Sequence, residues 1–129
     1  MKIELVMLGW SALLCLVLAV PYTLGFIAQL GLPTVAGNRE NFPSGTGWVG
    51  RARRAHANMV ENLAPFTALV LAVVLAGKTG PISAAAAELF LFARIVHAAV
   101  YIAGLVWVRT LAFAVNVVAL LMLVAALLA

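Results

Sequence analysis

The sequence predicts an all-α fold, an integral membrane four-helix bundle whose consecutive helices are antiparallel. Composition is the first reason, because 66% of the 129 residues are hydrophobic and 9% are charged, too little polar surface to cover a water-soluble globule. The second is that the apolar residues form four runs, each near or above the ~17–25 residues that a helix needs to cross a bilayer. All connections but one are short, which favours antiparallel neighbours. We predict one domain, residues 1–129, with spans at about 5–32, 52–76, 82–106 and 110–128.

The first span is expected to remain in the membrane rather than to act as a cleaved secretory signal. Its apolar run, Leu5 to Leu32, is much longer than the ~7–15 residues of a signal's apolar region, and three comparable runs follow. The single cysteine, Cys15, lies inside this span and has no second cysteine for an intramolecular disulfide. We interpret it as an apolar packing residue.

The charged residues predict how the bundle is oriented. The formal charge is +4, but most basic residues lie between spans, which argues against nucleic acid as a partner. Two connections, the long one after span one and the short one before span four, carry Arg39, Arg51, Arg53, Arg54 and Arg109. By the positive-inside rule these connections face the cytoplasm and both termini face the opposite side. Because no eukaryotic sorting signal is present, we expect a bacterial inner membrane.

The head of span two carries an unusual density of polar residues in the stretch GRARRAHANMVENLAPF, Gly50 to Phe66. If this stretch is helical, Arg51, Arg54, Asn58 and Glu61 are spaced three, four and three residues apart and share one face. Arginines at this position can simply anchor the membrane interface by reaching lipid phosphates. Glu61 lies one to two turns deeper, where a carboxylate without a partner is costly. We therefore expect Glu61 to have a cationic partner.

Span three repeats this pattern in the run LFARIVHAAVYIAG. Arg94, His97 and Tyr101 are spaced three and four residues apart, so they also share a face. Taken singly, His97 is typical of a histidine satisfied inside a bundle, and Tyr101 of an aromatic residue at the membrane interface. Together with a buried arginine they indicate a polar site within the bundle.

Arg94 is expected to need a counter-charge inside the membrane. It precedes Arg109 by 15 residues, or about 22 Å along a continuous helix, so it cannot reach that surface. The available carboxylates are Glu61 and Glu88, and Glu88 lies on roughly the opposite face of the same helix. Glu61 is therefore the expected partner. With Arg109 opening span four nearby, these residues predict a pocket reached from the cytoplasmic side and open laterally to membrane lipid.

Several other chemistries find no support in the sequence. The two histidines lie without clustered carboxylates or thiols, which argues against a metal site. The chain has no glycine-rich nucleotide loop and no serine or cysteine nucleophile beside a base.

Three motifs together resemble the MAPEG family, the membrane-associated proteins of eicosanoid and glutathione metabolism. They are RRAHANMVENLAPF in span two, ARIVHAAVYIAG in span three and the Arg109-Thr110 pair at the start of span four. The resemblance covers nearly the whole chain. It implies a four-helix protomer in a homotrimer, with glutathione as co-substrate held between neighbouring subunits near the cytoplasmic face and no metal.

The resemblance also implies roles for individual residues. Arg109 would lie near the glutathione sulfur and act in catalysis, and seven further residues would bind glutathione: Arg54, Asn58, Glu61, Arg94, His97, Tyr101 and Thr110. Thr110 stands where serine is usual in the family and keeps a hydroxyl. Two basic residues of the prostaglandin synthase-like members are missing, because this chain has Gln29-Leu30-Gly31 late in span one and Ala57 after the span-two histidine.

The resulting expectation is a glutathione-dependent transferase or peroxidase that acts on lipophilic electrophiles or hydroperoxides dissolved in the bilayer. The first alternative is a non-catalytic, lipid-binding member of the family, which the two missing cations favour. The second is a small four-span exporter driven by protons. Such exporters usually carry a carboxylate inside the first span, whereas Glu4 lies at its edge.

Overall fold

A computed structural model describes all 129 residues and contains five helices and no strand. Four of the helices are long and apolar enough to cross a membrane. The prediction of an all-α, multi-pass membrane bundle is therefore confirmed, whereas the trimer stays a prediction. The helices are α1 (Ile3–Leu30), α2 (Leu32–Ala36), α3 (Gly47–Leu75), α4 (Pro81–Ala103) and α5 (Val106–Leu128).

The long connection is more ordered than its composition predicts. It contains the short helix α2, whose first turn holds Pro33, a position where the fixed φ of proline suits a helix. Helix α3 begins at Gly47, five residues before the predicted start at residue 52. Val49 in this first turn is fully buried and packs with Phe26 and Val35. Burial of this small apolar cluster explains why the first turn of α3 is helical.

Two side-chain contacts show how the ends of the bundle are arranged. Lys2 Nζ donates to Thr79 Oγ1 over 3.1 Å, so the N-terminus lies beside the α3–α4 connection. At the other end, Arg51 Nε donates to the carbonyl of Ile102 over 2.8 Å. We call the first the terminal end and the second, which carries α2 and the long connection, the loop end.

Helices α1, α3 and α4 pack against one another, and α5 packs against α4 and α3. Phe66 and Phe90 stack at the centre of the bundle with ring centroids 3.7 Å apart, and both are fully buried. Gly25 allows α1 and α3 to approach closely, because a methyl carbon at this position would lie 2.6 Å from Val49 Cγ2. Small residues at such contacts let helices pack tightly in lipid, where apolar burial alone does not drive association.

The terminal end holds a buried carboxylate. Glu4 is 2% exposed and accepts a hydrogen bond from the hydroxyl of Ser83. The same hydroxyl accepts a bond from the Gly80 backbone amide over 2.8 Å at the start of α4. This contact ties α1 to α4 and satisfies a polar group that would otherwise be costly to bury.

Candidate functional site

A cavity of about 310 Å³ lies between α3, α4 and α5 near the loop end. Five of the predicted site residues line it, together with Phe113, for which the sequence pattern gives no indication. The lining residues are Asn58, His97, Tyr101, Arg109, Thr110 and Phe113. The cavity therefore joins one side chain from α3, two from α4 and three from α5.

Arg109 supplies the positive charge of the cavity. It lies in the first turn of α5, and its guanidinium carbon is 4.6 Å from the centroid of the Tyr101 ring. This distance is within the range of a cation–π contact, which holds the guanidinium over the ring face. The turn between α4 and α5 is only two residues long and passes through Gly104 at φ 84°. That tight turn brings the end of α4 and the start of α5 to the same cavity.

His97 forms the inner wall of the cavity. It is 2% exposed, and its ring meets the Tyr101 ring edge-on, with centroids 5.5 Å apart at 70°. Its Nδ1 has no hydrogen-bond partner within the chain. The Phe113 ring lies on the other side at 6.4 Å. Because buried polar atoms are nearly always paired, this nitrogen is a group that a ligand or a water molecule can satisfy.

Arg94 lies behind the cavity and is fully buried. Its Nη2 donates to Asn58 Oδ1 over 2.9 Å and its Nε to Met59 Sδ over 3.4 Å, while Nη1 has no partner. The predicted ion pair between Arg94 and Glu61 is wrong for the single chain. Antiparallel packing brings Arg94 level with Asn58 and Met59, whereas Glu61 is a further turn along α3 and points outward, where it is exposed.

Asn58 is oriented by an asparagine network that is not among the predicted contacts. Asn62 Nδ2 donates to Asn58 Oδ1 over 3.4 Å, and fully buried Asn116 donates from α5 to Asn62 Oδ1 over 2.9 Å. Since Arg94 and Asn62 both donate to Asn58 Oδ1, the Asn58 amide nitrogen is left as the donor for the cavity. The sequence does carry a signal, because Asn116 is the only polar residue of α5 after Thr110, and polar residues inside membrane helices usually bond across helices.

Besides Arg94, two predicted site residues lie outside the cavity. Arg54 and Glu61 are both exposed on the outward face of α3, and neither lines the cavity. The four residues predicted to share one face of α3 are thus divided, since Asn58 turns toward α5 and Arg51 toward the end of α4.

The histidine of the span-two motif faces a different part of the bundle. His56 Nδ1 is 3.0 Å from the Tyr22 hydroxyl, and its Nε2 is 3.9 Å from Cys15 Sγ, both on α1. The span-two motif therefore contacts two sides of the bundle. His56 faces α1, whereas Asn58 faces α4 and α5.

The fold and the cavity define a multi-pass membrane protein with a cationic, aromatic-walled cavity between three of its helices. The sequence profile of the MAPEG family matches residues 4–129, essentially the whole chain. The chain therefore belongs to the MAPEG family, and this membership supports a role in membrane glutathione or eicosanoid metabolism. Searches among curated proteins and among solved structures returned no match.

Proposed function

We propose that this protein is a membrane-bound glutathione-dependent transferase or peroxidase and that the cavity between α3, α4 and α5 is its active site. The observation that carries the proposal is the convergence of Asn58, Tyr101, Arg109 and Thr110 on one cavity of about 310 Å³. A guanidinium, an amide donor and two hydroxyls together suit a polar anionic ligand such as glutathione.

The chemistry needs no nucleophile from the protein, because glutathione supplies the sulfur. A free thiol has a pKa near ~8.5, and a nearby cation lowers that pKa and so favours the thiolate. In a substitution, the thiolate sulfur forms a bond to carbon while the bond from carbon to the leaving group breaks, and the leaving group departs with that electron pair. In an addition, the sulfur forms the bond to carbon, a π bond of the electrophile breaks, and the resulting anion takes up a proton. With a hydroperoxide, the sulfur attacks the terminal oxygen, the O–O bond breaks, and the alkoxide takes up a proton to leave as an alcohol. The sulfur is then a sulfenic acid, which a second glutathione reduces to give the disulfide and water.

Different residues of the cavity contact the two substrates, glutathione and the lipophilic co-substrate. Arg109 lies over Tyr101 and stabilises the thiolate, while the Asn58 amide nitrogen and the Thr110 hydroxyl hold the peptide part of glutathione. Phe113 is 40% exposed and forms the apolar wall. A lipophilic co-substrate dissolved in the bilayer would reach the sulfur past this ring.

In this proposal, Arg54 and Glu61 contribute to the glutathione site only when the homotrimer assembles. Both are exposed on the outward face of α3, so in a homotrimer they would face a neighbouring subunit and complete a glutathione site shared between subunits. The loop end would face the cytoplasm of a bacterial cell, since it carries most of the arginines. Glutathione would then enter from the compartment in which it is made.

Calorimetric titration of glutathione into the purified protein in detergent tests the proposal. We expect saturable binding to the wild type and weaker binding to Glu61→Gln, because the substitution removes a charge from the shared site. Glu88→Gln is the matched control, since Glu88 is also exposed but lies on α4 and does not line the cavity. Absence of glutathione binding by the wild type would refute an active site of this kind.

A non-catalytic lipid-binding role is the second candidate, and two positions favour it. Gly31 and Ala57 stand where the prostaglandin synthase-like members of the family have basic residues, so two cations that could grip glutathione carboxylates are missing. A lipid carrier would not bind glutathione but would bind a long-chain fatty acid. The same titration, repeated with arachidonate, distinguishes the two roles.

A further inference from the structure

A second cavity lies at the loop end on the other side of α3. Its volume is about 340 Å³, and it is enclosed by α1, α2, the long connection and the first turns of α3. Three aromatic residues, Tyr22, Phe26 and Phe42, and two arginines, Arg39 and Arg53, form most of its wall. No residue lines both this cavity and the candidate active site. The second cavity therefore needs an explanation of its own.

The two arginines are held over the aromatic rings. The Arg39 guanidinium carbon lies 5.4 Å from the Phe42 ring centroid, and that of Arg53 lies 5.9 Å from Phe26. The two rings meet edge-on with centroids 4.9 Å apart. Both guanidinium groups therefore converge on one aromatic-walled space rather than extending separately into solvent.

Most of the hydrogen-bonding capacity of these arginines is unused. Arg39 Nε donates to the Val35 carbonyl over 2.7 Å, and Arg53 Nη1 donates to the Pro43 carbonyl over 3.2 Å. Neither guanidinium forms another side-chain hydrogen bond or pairs with a carboxylate. Arg39 also has a left-handed backbone, with φ 58°, a conformation that is unfavourable for most residues. The connection thus holds two arginines with free donors beside a common cavity.

We propose that this cavity binds the phosphate group of an anionic phospholipid from the leaflet at the loop end. The planar fork of arginine matches phosphate oxygens with paired hydrogen bonds, and two forks can share one phosphodiester. The aromatic wall suits the upper acyl carbons of a lipid, which a free phosphate ion lacks. Val20 and Leu24, 52% and 60% exposed on the adjoining turn of α1, offer an apolar surface along which the acyl chains can run.

Arg51 lies on α3, as Arg53 does, but it contacts the end of α4 and does not line the second cavity. Its Nε donates to the Ile102 carbonyl, and its side chain lies over Gly104 at the end of α4, away from the second cavity. Arg51 and Arg53 are at nearly the same depth in the membrane. Removal of the Arg51 charge therefore controls for the general attraction between basic residues and anionic lipid.

The proposal can be tested by native mass spectrometry of the intact protein with equal amounts of phosphatidylglycerol and phosphatidylcholine. The wild type should retain phosphatidylglycerol preferentially, and the Arg39→Gln/Arg53→Gln double variant should bind it about 30-fold more weakly, at about 1 kcal/mol for each arginine. Arg51→Gln should change binding less than threefold. Equal retention by wild type and double variant, or an equal loss in Arg51→Gln, would overturn the proposal.

A second experiment distinguishes the phosphate group of a lipid from a soluble phosphate. Inorganic phosphate is titrated into the same proteins by calorimetry. If it binds with the same dependence on Arg39 and Arg53 while phosphatidylglycerol is not retained, the phosphate site stands but the lipid source is wrong. Should the double variant fail to fold, as judged by thermal unfolding, the single variant Arg39→Gln, in an exposed connection, replaces it. Its expected loss is about fivefold, and no loss would overturn the proposal.

Discussion

Arg109→Ala should greatly reduce the ionisation of bound glutathione. The substitution removes the positive charge from a cavity in which the guanidinium lies over Tyr101 at 4.6 Å. The other arginine near the site, Arg94, keeps its contacts with Asn58 and Met59 and does not line the cavity. The change therefore isolates the effect of one cation on the thiol.

The size of the effect follows from the dimensions of the cavity. A roughly spherical space of about 310 Å³ is about 8 Å across, so a sulfur inside it lies within about 8 Å of the guanidinium. At an effective dielectric constant of about 20, a charge pair at 8 Å interacts by about 2 kcal/mol. That energy lowers the thiol pKa from about 8.5 to about 7. At pH 7 about half of the bound thiol is then ionised, compared with about 3% in Arg109→Ala.

Absorbance near 240 nm reports the thiolate when protein is mixed with glutathione in a stopped-flow instrument. A pH titration of the bound thiol should have its midpoint near 7 in the wild type and near 8.5 in Arg109→Ala. Because the cation lowers the pKa, the wild-type thiolate is present above the midpoint and is lost as the pH falls through it. Arg51→Ala is the control and should behave as the wild type. A thiolate signal of wild-type size in Arg109→Ala would refute the assigned role.

Two further predictions concern the stability of the bundle, measured by thermal unfolding in detergent. Gly25→Ala should destabilise the protein by about 1–3 kcal/mol, because α1 and α3 approach too closely for a methyl group. Gly9→Ala, where a methyl group would meet no atom within 4 Å, should be neutral or slightly stabilising. Ser83→Ala should cost about 1–3 kcal/mol, because it leaves the buried Glu4 carboxylate without its donor. Ser11→Ala should cost much less, since the buried Ser11 hydroxyl has no partner to lose; equal costs for the two serines would contradict this account.

Much of the fold could be predicted from the sequence because the bilayer imposes strict conditions. A segment that crosses hydrocarbon must be apolar over about 20 residues and must satisfy its backbone hydrogen bonds internally, so four long apolar runs already indicate four helices. The boundary of α3 was predicted less well. Its first turn is stabilised by contacts of Val49 with Phe26 and Val35, which belong to other segments and leave no local signal.

Contacts within one helix could also be predicted, as His97 and Tyr101 show. Their separation of four residues places them on one face whatever the rest of the chain does, and their rings do meet edge-on. The partner of Arg94 could not be predicted in this way. It depends on the relative height and rotation of α3 and α4, and these bring Asn58 rather than Glu61 to the guanidinium.

Hydropathy and helix periodicity along the chain are enough to establish a four-span membrane protein with polar stripes on spans two and three, because hydrocarbon thickness and helix period are local constraints. Which of those polar residues meet depends on the tertiary structure. It placed Asn58 in the cavity with Arg109 and turned Glu61 outward, and it folded Arg39 and Arg53 over a second cavity. These outcomes depend on how helices rotate and slide against one another, and packing between distant segments sets those two variables.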